Sequence, residues 1–331
     1  MWDWVGSRPR HCLKFGTDSI GWAVLERHWT GRRRHRCVMS ALSDGMVKPS
    51  PTDENLSEPT ALAARVRALA DANKGRRAVG GSFFSGLPRR IAVLLPDTAV
   101  RVTVLQLEQV PARREEREAL IRWRLGQEQL FPLNGAKIVS QVFPNHRGSA
   151  AQAYTALTVA IQEPVLKQYE SLCESVGLIP HEVGVTSLRL VDLWRKISRR
   201  SDWQRRDVLW INLSDRALTT MVLQRGRLVF YRCKLLGVDA ADVLETTDLL
   251  NKILDECSAS LEVCQQQHPS MQIHDAVICA DGDAAGLQAQ IEAQLQLSVE
   301  PLGWKSVETL GWVAKGSHPG MTSLAAIAGV F

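Results

Sequence analysis

The chain has 331 residues, 45% of them hydrophobic and 23% charged, with a formal net charge of +5. That balance belongs to a globular chain of about two domains at ~150 residues each, and it excludes a disordered, collagenous or disulfide-stapled polypeptide. Eight Lys/Arg against three Asp/Glu in residues 1–36 account for the whole excess; they read as a solvated face, because no RNP motif, zinc-finger spacing or homeodomain pattern accompanies them and no nucleic-acid partner is expected.

Residues 12–15, the turn Gly16-Thr17-Asp18-Ser19 and residues 20–25 read as a hairpin, with the next turn at 31–35. Residues 47–59, rich in Pro, Ser, Thr and Glu, read as a loop. From Pro59, the spacing of Leu62, Val66 and Leu69 predicts a helix through Ala72, broken by the glycines of 75–81. Residues 91–95 form a buried strand ended by Pro96-Asp97, and 99–110 alternate as a second strand. Pro111 then leads into a helix over 112–129 whose expected apolar anchors are Leu120, Trp123 and Leu130.

Two strands at 137–143 and 154–161 follow, then a helix at 164–176 closed by Gly177 at the C′ position. A short strand at 183–185 and a helix at 187–198 complete the first half. A polar segment, 202–206, separates the halves, and a second basic cluster (Arg195, Lys196, Arg199, Arg200, Arg205, Arg206) surrounds it. The pattern then restarts. Strands at 208–213, 218–224 and 228–234 form a meander, followed by a largely helical stretch 240–267 with a break near Thr246. A strand at 276–280, a helix at 285–296, a short strand at 299–301 and a helix of small residues at 323–330 close the chain. Each half opens with a meander and continues with a helix and further strands, an architectural duplication without recognisable sequence repetition.

The best apolar runs, 91–95 and 324–331, fall far short of the ~18 residues of a membrane span, and no apolar segment of signal-peptide type follows residues 1–10. The seven cysteines (12, 37, 173, 233, 257, 264 and 279) are odd in number and form no CxxC pair. They read as reduced core thiols of a cytoplasmic protein. No GxSxG, HExxH or Walker A run is present, so no catalytic residue is expected. His11, His28 and His35 lie among arginines, which repel a cation, and no metal site is expected there. Trp2, Trp4, Arg8 and Arg10 combine aromatic and basic side chains; that suits contact with a membrane surface and equally suits a solvated tail.

The most specific stretch is 91–143. It contains Ala92-Val93-Leu94-Leu95-Pro96-Asp97, a strand, Leu107-Glu108-Gln109-Val110-Pro111, a helix carrying Ile121-Arg122-Trp123, then Phe131-Pro132-Leu133 and a strand ending Gln141-Val142-Phe143. Later come Val176-Gly177-Leu178, Ser187-Leu188, Gly226-Arg227-Leu228-Val229-Phe230 and Leu236-Gly237. In this order and spacing the chain resembles the PilM family of type IV pilus assembly proteins, with the MSHA-pilus protein MshI and the cytoplasmic region of the type II secretion protein GspL as close alternatives. The lack of a membrane-spanning stretch favours the first two. The resemblance implies an α/β, actin-like (actin/FtsA/PilM type) two-lobed fold. Its first lobe would be 1–97 and 179–205 with a C-terminal helix at 316–331, its inserted αβ subdomain 98–178, and its second lobe 206–315.

In function, the resemblance implies a cytoplasmic, non-catalytic scaffold peripheral to the inner membrane. It would bind the cytoplasmic N-terminal peptide of a PilN-like single-span protein. Arg122, Trp123 and Phe131 are candidates for that contact, since Trp and Arg dominate binding hot spots; the alternative for Trp123 is a core position. The rival function is an ATP-binding actin-like ATPase controlling pilus or type II secretion assembly. In the family, the first hairpin reads Gly-Ile-Asp-Ile-Gly-Ser-Ser-Ser, and here Lys14 stands at the acidic position. The second reads Val-Asp-Ile-Gly, and here it is Ile211-Asn212-Leu213-Ser214; the adenosine turn Ser-Gly-Gly-Gly is Cys279-Ala280-Asp281-Gly282. A bound nucleotide would meet Gly16, Thr17, Asp18, Ser19, Asn212, Ser214, Asp281 and Gly282, with Lys14 on a phosphate and Asp18 in place of the lost acid. With both metal-organising carboxylates replaced, neither ATP nor magnesium is expected. The plainer reading of 16–19 and 281–283 is tight-turn chemistry.

Overall fold

The computed structural model describes residues 9–27, 33–72, 89–128, 131–145, 153–198, 202, 204–237, 246–269, 271–314 and 321–331. Trp2, Trp4, Arg8, His28, Leu130, the glycine-rich 75–81, and Arg199 and Arg200 lie outside the described residues.

The first half runs β1 (His11–Phe15), β2 (Ser19–Arg27), β3 (Arg33–Ala41), α1 (Pro59–Ala72), β4 (Arg89–Leu95), β5 (Arg101–Leu107), α2 (Arg114–Gln127), β6 (Ala136–Pro144), β7 (Tyr154–Gln162), α3 (Glu163–Ser175), β8 (Leu178–Val185) and α4 (Thr186–Ile197). The second half runs β9 (Asp207–Ser214), β10 (Ala217–Gln224), β11 (Arg227–Leu235), α5 (Thr247–Gln267), β12 (Asp275–Ala280), α6 (Ala285–Leu295), β13 (Ser298–Pro301), α7 (Trp304–Glu308), β14 (Trp312–Ala314) and α8 (Met321–Val330).

Local chemistry accounts for these elements. In α1, Leu62, Val66 and Leu69 line one buried stripe at helical spacing. In α3 the expected glycine cap is present: Gly177 has φ 76° and its N–H bonds the Glu174 carbonyl at 3.0 Å. Asp215 and Arg216 (φ 55° and 58°) join β9 to β10, and Arg225 and Gly226 (φ 49° and 75°) join β10 to β11. Paired positive φ values suit two-residue hairpins, whose twist matches the strands. The basic segment read as a turn instead pairs in register along β2, from Ser19↔Ala41 to Arg27↔Arg33. Pairing with a buried neighbour overrode the weak strand preference of a run of arginines.

The two large sheets repeat one another. The first has order β14-β3-β2-β1-β4-β8 and the second β11-β10-β9-β12-β13. In each, a three-stranded antiparallel meander is extended by two parallel strands, β4 and β8 on β1, β12 and β13 on β9. The duplication read from the sequence is thus present strand for strand. β14, grouped with the second lobe from the sequence, is the extra edge strand of the first sheet and pairs parallel with β3. Between β4 and β8 the chain makes a third, antiparallel sheet, β5-β7-β6, with α2 against it.

Each large sheet has a core on its outer face, closed by α1 and α3 in the first and by α5 and α6 in the second. A third core runs between the lobes: Trp194 of α4 meets Trp210 of β9 edge-on at 6.0 Å, and α8 packs along α4. Six of the seven cysteines are buried and Cys233 is half-buried, with no disulfide. Burial raises every thiol. No helix among the described residues is long and apolar enough to cross a membrane.

Candidate functional site

The hairpins β1–β2 and β9–β10 occupy equivalent places in the two sheets, and their turns face each other across the cleft. Lys14 is fourth in β1 and Asn212 sixth in β9; both are central-strand residues and both are buried. A lysine at 2% exposure needs a partner, since an unpaired buried charge is very costly. It has one. The Lys14 ammonium donates to Asp215 Oδ2 at 3.2 Å, and the Thr17 backbone N–H donates to Asp215 Oδ1 at 3.1 Å. A Cβ on Gly16 would stand 2.5 Å from that same oxygen, so the glycine is what lets the carboxylate lie against the turn. Burial opposes the charge on Lys14. The attraction of Asp215, joined by Asp281 and Asp18, outweighs it and holds the ammonium pKa above its usual value.

A second buried network lies beside the first. Asp97, just after β4, accepts the Ser187 N–H at 3.1 Å and the Ser187 hydroxyl. It also accepts Asn212 Nδ2 at 3.2 Å and the Thr219 hydroxyl at 3.1 Å. Asn212 Nδ2 in addition lies 2.8 Å from Ser187 Oγ and 3.0 Å from Ser214 Oγ. Ser187 belongs to the first lobe and Asn212, Ser214 and Thr219 to the second, so this network also spans the cleft. Burial raises the Asp97 carboxyl pKa against the hydrogen bonds of Ser187 and Thr219, and the nearby Asp215 charge adds to the rise.

Of the residues expected at a nucleotide, Gly16, Thr17, Asn212 and Ser214 come together with Lys14. Asp18 and Ser19 do not: Asp18 is exposed, accepts the Ser19 hydroxyl at 3.3 Å, and offers its backbone carbonyl to Leu42 N at 2.6 Å. Asp281 and Gly282 form the turn after β12; Asp281 N bonds the Leu213 carbonyl at 2.9 Å and Gly282 has φ 141°. Asp283 accepts the Ala285 N–H at 3.0 Å, opening α6 in the manner of a turn residue. Sequence reasoning missed Asp215, Asp97, Ser187 and Thr219 as members of the site. The available signal was positional: an acid directly after Ser214, in the turn that the duplication sets in the same place as the Gly16–Ser19 turn following Lys14.

The other candidates separate. Trp123 is 57% exposed on α2, with the Arg124 guanidinium 6.0 Å from its ring centroid, so the core alternative does not hold. The buried anchors of α2 are Ile121 and Leu125, in place of the expected Leu120 and Trp123. Arg122 turns away to the Leu133 and Ala136 carbonyls at 2.8 and 3.3 Å, where it ties the helix to β6. Phe131 is half-buried.

No protein-family model and no curated protein sequence matches the chain. Among solved structures, a chain of a "PilM-PilN type IV pilus biogenesis complex" is similar over 98% of this chain and 100% of that one, at 16% identity and a TM-score of 0.70. The chain has the actin-like fold of PilM. Fainter likenesses are to the cytoplasmic domain of EpsL, an inner-membrane component of the type II secretion system of Vibrio cholerae (12% identity, TM-score 0.47, 96% of this chain and 94% of that one). A Bacteroides thetaiotaomicron protein of actin-like ATPase fold is similar at 10% identity, with a TM-score of 0.45 and coverage of 90% and 93%. The β5-β7-β6 sheet with α2 is a separate αβ unit between β4 and β8, but α3, placed in the inserted subdomain 98–178 from the sequence, packs instead on the outer face of the first large sheet, because Val165, Tyr169 and Leu172 are buried there.

Proposed function

We propose that the chain is a non-catalytic scaffold of a type IV pilus or related inner-membrane assembly platform, working on the cytoplasmic face of the membrane. Its partner would be the short cytoplasmic N-terminal peptide of a PilN-like single-span protein. The PilM fold along nearly the whole chain supports the assembly role. The observation that carries the non-catalytic reading is the Lys14–Asp215 pair. The residues present do not fit a magnesium nucleotide: the turn N–H of Thr17 and the side chain at 14 are both engaged by a carboxylate. At the second hairpin Ser214 and Asn212 are tied into the Asp97 network. The exposed Trp123 of the inserted unit is the anchor we assign to the peptide.

Titration calorimetry tests the scaffold reading with cytoplasmic N-terminal peptides of PilN-like single-span proteins from the same genome. A dissociation constant of about 1 μM or better, some −8 kcal/mol, is expected. Absence of heat with every such peptide overturns it. For the cleft, millimolar Mg-ATP is expected to shift the melting temperature by less than about 1 °C, because a site near saturation would give several degrees. A large shift abolished by Gly16→Val would promote the ATPase reading.

A further inference from the structure

The groups around the Asp215 carboxylate form a recognisable set. A backbone N–H in a tight turn, an ammonium group and a glycine that permits close approach are what an oxyanion site is made of. Here all three belong to the first lobe, and the anion they receive comes from a residue 201 positions away. The φ of 55° at Asp215 is the left-handed conformation, which Gly, Asn and Asp adopt more readily than other residues, so the turn accepts an acid here without needing its charge. What engages that charge lies opposite.

We propose that Lys14, Gly16 and Thr17 form an oxyanion site, and that the Asp215 carboxylate is its resident ligand. The two lobes thereby close on an internal anion that stands in for a diffusible oxyanion of the phosphate class. The proposal goes beyond the assembly role and holds whatever partner the chain binds. It differs from a plain ion pair in one respect: the receiving groups remain an anion site once the carboxylate is removed.

Asp215→Gly tests it, because glycine suits the turn and deletes only the carboxylate. The melting temperature of the full chain is measured in inorganic phosphate, in metal-free pyrophosphate, in Mg-ATP and in chloride of matched ionic strength. For a dissociation constant of about 1 mM, about 10 mM phosphate should raise the melting temperature of Asp215→Gly by about 3–6 °C over chloride. The wild type, already filled, should move by less than about 1 °C on the same scale. The Lys14→Met/Asp215→Gly double variant should also stay still. Stabilisation by phosphate or pyrophosphate identifies an oxyanion site, and a further gain from Mg-ATP extends it to nucleotide phosphates. Stabilisation by Mg-ATP alone overturns the proposal, because the oxyanion would then not carry the binding. Equal phosphate shifts in all three proteins, or none in Asp215→Gly, also overturn it. If Asp215→Gly does not fold in chloride, the yield of folded protein on refolding in phosphate reads the same site, and no gain there counts against it.

Discussion

Gly329 of α8 lies directly on the backbone of Arg189 in α4: a Cβ built on the glycine would stand 2.7 Å from the Arg189 carbonyl carbon, and nearer still to its oxygen. Lys196 fastens the same contact by donating to the Ala328 and Gly329 carbonyls at 3.3 and 2.6 Å. Because the obstruction is backbone, no side chain can rotate out of the way. Gly329→Ala is therefore expected to lose about 1–3 kcal/mol, or several degrees of melting temperature, despite its better helix propensity. A variant melting with the wild type would show that the two helices do not touch in solution.

The ion pair across the cleft makes a graded prediction. Lys14 and Asp215 side chains are 3% and 4% exposed. Removing one partner, as in Lys14→Met, leaves a buried charge and should cost about 3–5 kcal/mol, while removing both should cost distinctly less. Lys14→Asp sets a second carboxylate against Asp215 and should be the least stable of the set. Denaturant melts of the variants check the order, and additive losses would mean the two groups do not interact.

His11 sets a pH dependence. Burial, with Arg89 and Arg10 nearby, lowers its pKa from 6.5 to about 4. A depressed histidine contributes stability that is present above pH 6.5 and lost as the pH falls toward 4. Discounted for its partial exposure, the loss is about 1–2 kcal/mol. Asp97, raised by burial, works with the opposite sign, gaining as the pH falls, so the comparison must be made against His11→Phe. Melts between pH 7 and pH 4 should be flatter in that variant, and parallel curves would contradict the assignment.

Two neighbours on α2 should behave oppositely. Trp123→Ala removes exposed surface and should leave the melting temperature within about 1 °C while weakening peptide binding about tenfold or more. Arg122→Ala frees the Leu133 and Ala136 carbonyls and should cost about 1 kcal/mol of stability. Loss of binding in neither variant would move the peptide site off this helix.

Most elements were legible because their signals are local. The stripe of Leu62, Val66 and Leu69, the cap at Gly177 and the buried run of β9 depend on neighbours a few residues away. The failures share a cause. In α2, Leu120 and Trp123 compete with Ile121 and Leu125 for the inward face, and only the position of the β5-β7-β6 sheet decides between them. The arginines of β3 became a strand because β2 was there to pair with. Asp215 carries no local signal of its role, because that role depends on which other turn it faces, and the contact joins opposite halves of the chain. Asp97 looked like a strand stop until Ser187, Asn212 and Thr219 were brought around it.

The strand β14 and the helix α8 have a consequence for synthesis. The sheet that begins at His11 takes its last strand from Trp312–Ala314, and Leu324 of α8 fills the space over Gly21 of β2. A ribosome releases every strand of the second lobe before either piece emerges. The lobe begun first is thus the lobe finished last, and a nascent chain carries it open-edged, with apolar surface for a chaperone to cover, until the chain reaches back and seals it.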